Sequence, residues 1–145
     1  MTSRSGMCAS FMLELLEAIH DFRVDTIKVA LYSSLADISP DTTAYTSTEE
    51  VTDGSTWPSG GKQLAVAAGS PKKLSSGDKR YGVTGFDTLT VGPTTLTFRT
   101  LLIYNASKAN RAIAVLDRGV DVVVTAGNLS LANNANYPYL VQISS

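Results

Sequence analysis

A regular alternation of apolar and polar side chains over residues 95–104 constrains the fold more than any other feature of the sequence. Leu96 and Phe98 fall on one side of the segment, and a period of two is the pattern of a β-strand with one buried face. The other side becomes apolar near the end, at Leu101 and Ile103, which predicts burial on both faces there. The chain is therefore expected to build a sheet that is covered on two sides.

Other short segments carry the same strand signal. They span residues 25–32, 44–51, 64–68, 111–117, 120–125, 128–132 and 139–143. Residues 33–62 and 70–80 are rich in polar and turn-forming side chains, a composition typical of exposed loops. The dipeptide Arg118-Gly119 predicts a tight hairpin, because Gly accepts a positive φ without steric cost. About eight short strands spaced by turn signals predict a mainly β fold, an antiparallel β-sandwich or jelly roll with one N-terminal α-helix.

Helical periodicity appears near the N-terminus, where Ser10 is a suitable N-cap for a helix over residues 11–20. The predicted apolar stripe and the residues beside it are Phe11, Met12, Leu15, Leu16 and Ile19. The predicted polar side holds Glu14, Glu17 and His20, with Leu13 among them as an exposed leucine. Such a stripe needs cover, either from the chain's own sheets or from another subunit.

The length of 145 residues predicts one domain, with residues 1–22 as an N-terminal arm and helix and residues 23–145 as the β-sandwich. Twelve basic and thirteen acidic side chains give a net charge of −1, which disfavours nucleic acid or an anionic membrane as a partner. The apolar runs fall short of the ~20 residues that a membrane helix needs, and the N-terminus lacks a signal-peptide core. We therefore expect a soluble protein that is not secreted.

Residue types suited to catalysis or metal binding are scarce. One cysteine and one histidine cannot form an internal disulfide or a zinc site of soft and imidazole ligands. His20 has only its neighbour Asp21 as an orienting group, and adjacent side chains rarely face each other, so a polar histidine at the helix end is expected. Cys8 is expected to be a passive thiol in a mobile N-terminal segment. We predict no enzymatic activity, no catalytic residue, no cofactor and no bound metal.

Acidic groupings and one glycine-rich segment leave alternatives open. The closest acidic pairs are Glu49 with Glu50, Asp37 with Asp41, and Asp117 with Asp121. They are expected to be solvated loop acids, with general acid–base catalysis as the alternative and a calcium site near Asp37 and Asp41 as another. Residues 59–62 resemble a phosphate loop, but Thr56 stands where that motif requires Gly, which favours a turn.

A set of segments resembles one known family in sequence order. These segments are residues 20–22, 25–32, 42–45, 50–51, 60–64, 102–105, 111–117, 119 and 125–127. Together they resemble a family of small virion proteins of tailed bacteriophages, which includes head decoration and cement proteins. Residues 70–90 and 129–143 depart from the family pattern, and we expect the partner contacts to differ there.

The resemblance implies a structural role in the virion. The expected function is that of a capsid decoration (cement) protein, made in the host cytoplasm, which binds the outer surface of the shell of major capsid protein as a small homo-oligomer. Neither nucleic acid nor a membrane is an expected partner. The helix residues predicted to contact a partner are Phe11, Met12, Leu13, Leu15, Leu16 and Ile19. Deleting residues 1–20 is expected to leave a soluble sandwich that attaches less well.

Two other classes of function remain as alternatives. The first is a tail, neck or fibre-anchoring protein, which a low copy number per particle would distinguish from a shell protein. The second is a carbohydrate-binding module, since aromatic rings can stack on sugars. The candidate stacking platforms are Trp57, Tyr45, Tyr81 and Tyr104.

Overall fold

Antiparallel strands make up most of the chain. The computed structural model describes residues 5–132 and 141–144. Its elements are β1 (Gly6–Met7), α1 (Ala9–Leu16), β2 (Ile27–Tyr32), β3 (Glu50–Val51), β4 (Lys62–Leu64), β5 (Lys72–Ser76), β6 (Lys79–Thr84), β7 (Leu89–Asn105), β8 (Arg111–Leu131) and β9 (Val141–Ser144). The predicted mainly β class, with antiparallel sheets and one short N-terminal helix, is confirmed for these residues, whereas the jelly-roll topology stays a prediction.

The described strands form two sheets. The larger sheet has the order β1-β8-β7-β2, and both β3 and β4 pair with the remaining edge of β2. The smaller sheet has the order β5-β6-β9. In the larger sheet Gly6 pairs with Val115 and Met7 with Ala114. Residues 6–7 are therefore a strand of the main sheet, and they lead directly into α1.

The core lies where β2, the second half of β7 and the first part of β8 run side by side. Val29 pairs with Ile103 and Ile103 pairs with Ala114, and all three are buried. Along β7, burial alternates at Leu96 and Phe98 and then becomes continuous over residues 101–105. The predicted passage into a region buried on both faces is confirmed.

Strands β7 and β8 form one long hairpin, whose turn at residues 106–110 lies at the core end. The predicted hairpin at Arg118-Gly119 was wrong, because β8 is continuous across it. The separate strands expected over residues 111–117, 120–125 and 128–132 are parts of this single strand, which ends at Leu131.

Gly119 lies in a large β-bulge. The register jumps between Phe98 and Thr100 of β7, and residues 118–121 of β8 fill the gap. Gly119 has a φ of 74°, which an L-residue with a side chain rarely adopts. The sequence signal for a positive φ was thus correct, although it marks an irregularity within a strand and not the end of one.

Residues 70–80, predicted to be a polar loop, form most of a second hairpin. Strands β5 and β6 pair from Lys72–Val83 to Ser76–Lys79, and the turn includes Gly77. Most side chains of β5 are exposed, so no difference in burial between its two faces exists for a period-two pattern to record.

The other short strand predictions were partly correct. Of residues 44–51, only Glu50–Val51 is a strand, and it lies at the sheet edge. The strand expected at residues 64–68 is Lys62–Leu64, followed by an isolated bridge. Of the strand expected at residues 139–143, Val141–Ser144 is observed as β9, and residues 139–140 lie outside the described residues.

The loop between β3 and β4 is held against the sheet. The Glu50 carboxylate accepts hydrogen bonds from the Tyr45 hydroxyl and from the backbone N–H of Gly60, both at 2.8 Å. A Cβ atom at Gly61 would lie 1.8 Å from the carbonyl oxygen of Val29, so only glycine fits this approach. The glycine-rich segment is therefore a turn that leads into β4, as predicted.

Candidate functional site

Helix α1 begins and ends differently from the prediction. Cys8 occupies the N-cap position, and no side chain caps the helix there, so the expected Ser10 cap is wrong. At the other end, Ala18 has a φ of 58° and its N–H donates to the carbonyl of Leu15, while the N–H of Ile19 donates to the carbonyl of Glu14. These two bonds form a Schellman motif, which ends the helix about one turn earlier than its periodicity predicts.

The buried side of α1 also differs from the predicted stripe. Phe11 and Glu14 are buried, with exposed fractions of 0% and 6%, and Leu15 is half-buried. Ile19 lies beyond the helix end and is half-buried. The prediction that Glu14 and His20 lie on a solvated polar side was wrong, because their side chains bind each other inside the protein.

The Glu14 carboxylate joins three parts of the chain. Its Oε1 accepts a hydrogen bond from Nη1 of Arg111 at 2.8 Å, and its Oε2 lies 2.7 Å from Nε2 of His20. Arg111 is the first residue of β8, so this ion pair fastens α1 to the turn end of the long hairpin. A buried carboxylate is costly unless it is paired and hydrogen-bonded, and here both of its oxygens have partners.

The hydrogen bonds of Asn105 determine which ring nitrogen of His20 carries the proton. The backbone N–H of Ser107 donates to Oδ1 of Asn105, so Nδ2 is the amide atom that faces Asp25 at 2.7 Å and Nδ1 of His20 at 3.1 Å. An amide nitrogen only donates, and the His20 Nδ1 atom must therefore accept. In this arrangement Nε2 carries a proton that is directed at Glu14.

Asp25 completes this network beside Lys108. Burial by itself would raise the pKa of Asp25, but hydrogen bonds from the backbone of Asp21 and the amide of Asn105, together with the nearby Lys108 ammonium, lower the pKa below its ordinary value. Both ring nitrogens of His20 are thus engaged and its side chain is buried. The network holds α1 and the following segment in place and gives His20 no contact with solvent.

The exposed side of α1 is a contiguous apolar surface, which we call the helix patch. It consists of Met12, Leu13 and Leu16, with exposed fractions of 47%, 57% and 87%. Residues three and four positions apart are neighbours on a helix, so Leu16 lies beside both of the others. Of the six predicted contact residues, these three are available to a partner. Phe11 is buried in the core, and Leu15 and Ile19 are half-buried.

A second set of exposed apolar side chains lies on β8. It comprises Leu116, Val120 and Val123, with exposed fractions of 40%, 68% and 66%. All three lie in or near the bulge at residues 118–121 of β8. Their sequence pattern predicted strands and no common surface, since the predicted hairpin at Arg118-Gly119 would have divided them.

Cys8 is buried and fixed in the fold. The prediction that it lies in a mobile segment was wrong. Its exposed fraction is 0%, and its backbone N–H donates to the carbonyl of Ile113 at 2.8 Å. Burial, with the nearby carboxylates of Glu14 and Asp41, raises the pKa of the thiol to about 11. The thiol is therefore protonated at neutral pH, which agrees with a passive role.

The remaining candidate residues are buried or have partners of their own. Glu49 accepts a hydrogen bond from Ser33 and Glu50 accepts one from Tyr45, so the two carboxylates have different partners. Trp57 is fully buried in the core and offers no stacking platform for a sugar. Tyr104 has an exposed fraction of 2% and stacks on the half-buried Tyr45.

Comparisons with known proteins identified no relative of this chain. Neither the family models, nor the curated proteins, nor the solved structures contain a match to this chain. Within the described residues, no group of three or more His, Cys, Asp or Glu side chains is placed to hold a metal ion. In that same part of the chain, no helix is both long and apolar enough to span a membrane.

Proposed function

We propose that this chain is a structural protein of a tailed-bacteriophage virion, a decoration protein that binds the outer surface of the major capsid protein shell. The observation that carries the proposal is the helix patch. Large apolar side chains on a helix are normally turned toward the protein's own core, whereas Met12, Leu13 and Leu16 face solvent. A contiguous exposed apolar surface of this kind favours a protein-binding role.

The helix patch is held rigidly, which suits a binding surface. The bonds from Glu14 to Arg111 and His20 fix α1 against β8, and Phe11 anchors it in the core. A surface that is already ordered loses little conformational entropy when a partner covers it. The sequence resemblance to phage virion proteins supports the choice of the capsid shell as that partner, and a small homo-oligomer as the bound form.

Quantitative mass spectrometry of purified particles, from an infected culture that produces this chain, tests the proposal. Several hundred copies per particle would support a decoration protein. A few dozen copies or fewer would instead favour the tail, neck or fibre-anchoring alternative. Particles that lack the chain would end both proposals.

Surface substitutions test the helix patch itself. The predicted deletion of residues 1–20 is unsuitable, because it would remove the buried Phe11 and His20 and thereby damage the fold. The double variant Leu13→Ser/Leu16→Ser should fold normally and occupy particles at least about tenfold less, since each lost leucine forfeits roughly 1.5–3 kcal/mol of burial in an interface. Leu35→Ser, at an exposed leucine elsewhere on the chain, is the matched control. Unchanged occupancy by the double variant would remove the helix patch from the interface.

A further inference from the structure

A surface cleft lies between α1 with the segment that follows it and the hairpin of β5 and β6. Its volume is about 520 Å³. The residues that line it are Leu15, Phe22, Arg23, Pro71, Lys72, Lys73, Gly82, Val83 and Thr84. A cleft of this size accommodates one large side chain together with the adjoining backbone of a bound peptide.

The apolar part of the cleft is preformed. Phe22 and Val83 are buried, with exposed fractions of 7% and 3%, and each presents part of its surface to the cleft. The Phe22 ring makes edge contacts with Phe11 at 6.0 Å and with Phe86 at 6.4 Å between ring centroids. These contacts fix the ring, so an apolar side chain that enters the cleft meets an ordered surface and not a mobile one.

The charged part of the cleft has a single sign. Arg23, Lys72 and Lys73 line it, and all three are exposed. No acidic residue is among the lining residues of the described chain. Within the described residues, Arg23 and Lys73 have no carboxylate at ion-pair distance. The chain as a whole carries a charge of −1, so this positive potential belongs to the cleft and not to the protein in general.

We propose that this cleft binds an acidic peptide segment of a partner protein, with one large apolar side chain of the peptide seated on Phe22 and Val83. Carboxylates on either side of that side chain pair with Arg23 and Lys73. The three cations repel a basic segment and leave an uncharged one without ion pairs, so the cleft selects for negative charge. This inference goes beyond the proposed role in the virion and does not depend on it.

Titration of the isotopically labelled full chain with a defined peptide, followed by backbone amide NMR shifts at low salt, tests the inference. The probe is a blocked peptide with one phenylalanine flanked on each side by two aspartates. Two matched probes replace the aspartates by asparagines or the phenylalanine by alanine. We expect saturable shifts at residues 22–23, 72–73 and 82–84, and binding at least about tenfold weaker for each matched probe.

Two charge reversals on the same hairpin distinguish binding in the cleft from nonspecific electrostatic attraction between the peptide and the protein. Lys73→Glu lies in the cleft and should weaken binding at least about fivefold, whereas Lys79→Glu lies outside the cleft and should change it less than about twofold. An unchanged far-ultraviolet circular dichroism spectrum verifies that each variant is folded. Absence of saturable shifts, equal binding of the asparagine probe, or equal loss in the two variants would overturn the inference. Particle occupancy does not enter this test, so its failure is distinct from that of the proposed function.

Discussion

Glu14 and His20 are joined by a 2.7 Å contact between Oε2 and Nε2, although α1 ends between them. The Schellman motif at Ala18 reverses the chain direction after the helix, and His20 thereby returns to within hydrogen-bond distance of the carboxylate. The pair is buried. Glu14 is also bound by Arg111, and His20 by Asn105. A polar network of this kind holds the helix patch in position while it contributes nothing to that surface.

Removal of the Glu14 carboxylate should weaken the fold. Glu14→Ala leaves the buried N–H of His20 without an acceptor, which costs about 1–3 kcal/mol of unfolding free energy. Arg111 can turn its half-exposed side chain to water and adds little to the loss. Urea denaturation measures the difference. Glu17→Ala, at an exposed position of the same segment, is the control and should change stability by less than about 0.5 kcal/mol. Equal stability of the two variants would contradict a structural role for the network.

Two glycines with nearly equal φ allow the effect of backbone strain to be distinguished from the effect of a steric clash, when each is replaced by alanine. Gly61 and Gly69 have φ values of 72° and 74°, so an alanine at either position incurs a similar strain of about 1–2 kcal/mol. At Gly61 the new Cβ would also lie 1.8 Å from the Val29 carbonyl oxygen, while at Gly69 nothing lies within 4 Å. We therefore expect Gly61→Ala to lower the thermal midpoint well beyond Gly69→Ala, or to prevent folding. Similar midpoints for the two variants would show that the β3–β4 loop does not approach Val29 this closely.

Cys8 should make the free energy of unfolding depend on pH in the alkaline range. Burial raises the pKa of the thiol from its ordinary value of 9.0 to about 11, so the folded chain holds this proton where the unfolded chain has lost it. The contribution of Cys8 to stability is then complete below pH 9 and disappears as the pH rises toward 11. Urea denaturation from pH 8 to pH 11 of the wild type and of Cys8→Ala measures this. The variant should lose less stability over that interval than the wild type. A parallel loss in both chains would mean that the thiol is not the responsible group.

The same burial should protect the thiol from reagents. At pH 8, Ellman's reagent should modify the native chain at least about 50-fold more slowly than the urea-unfolded chain, because the thiolate is rare and covered. Comparable rates in the two states would place Cys8 at the surface.

Trp57 offers a direct optical test of the core. It is the only tryptophan of the chain and is fully buried, so its fluorescence should be blue-shifted and weakly quenched by acrylamide in the native state. Unfolding in urea should shift the emission to the red and increase quenching several-fold. Strong quenching of the native chain, or a change of emission on addition of soluble oligosaccharides, would restore the carbohydrate-binding alternative.

The sequence by itself determined those features in which the two sides of a segment differ in burial. The alternation of Leu96 and Phe98, and the added apolar residues at Leu101 and Ile103, predicted both the strand and its passage into the core, because side-chain polarity there records burial directly. The apolar stripe likewise predicted a helix that overlaps the observed one, although its two ends differ. Of the six helix residues predicted to contact a partner, the three of the helix patch are exposed and the core covers the other three in whole or in part, while contact with a partner stays a prediction.

Only the tertiary structure decided which polar residues are buried and where the chain turns. Glu14 appeared solvated in the helical pattern because its partner Arg111 lies 97 positions away along the chain. Gly119 signalled a positive φ, but whether that φ ends a strand or forms a bulge depends on the register with β7. Strands β5 and β6 are held by backbone hydrogen bonds along a largely exposed surface, which leaves little trace in polarity. The cleft beside them arises from two segments about 50 residues apart, and no local pattern encodes such an approach.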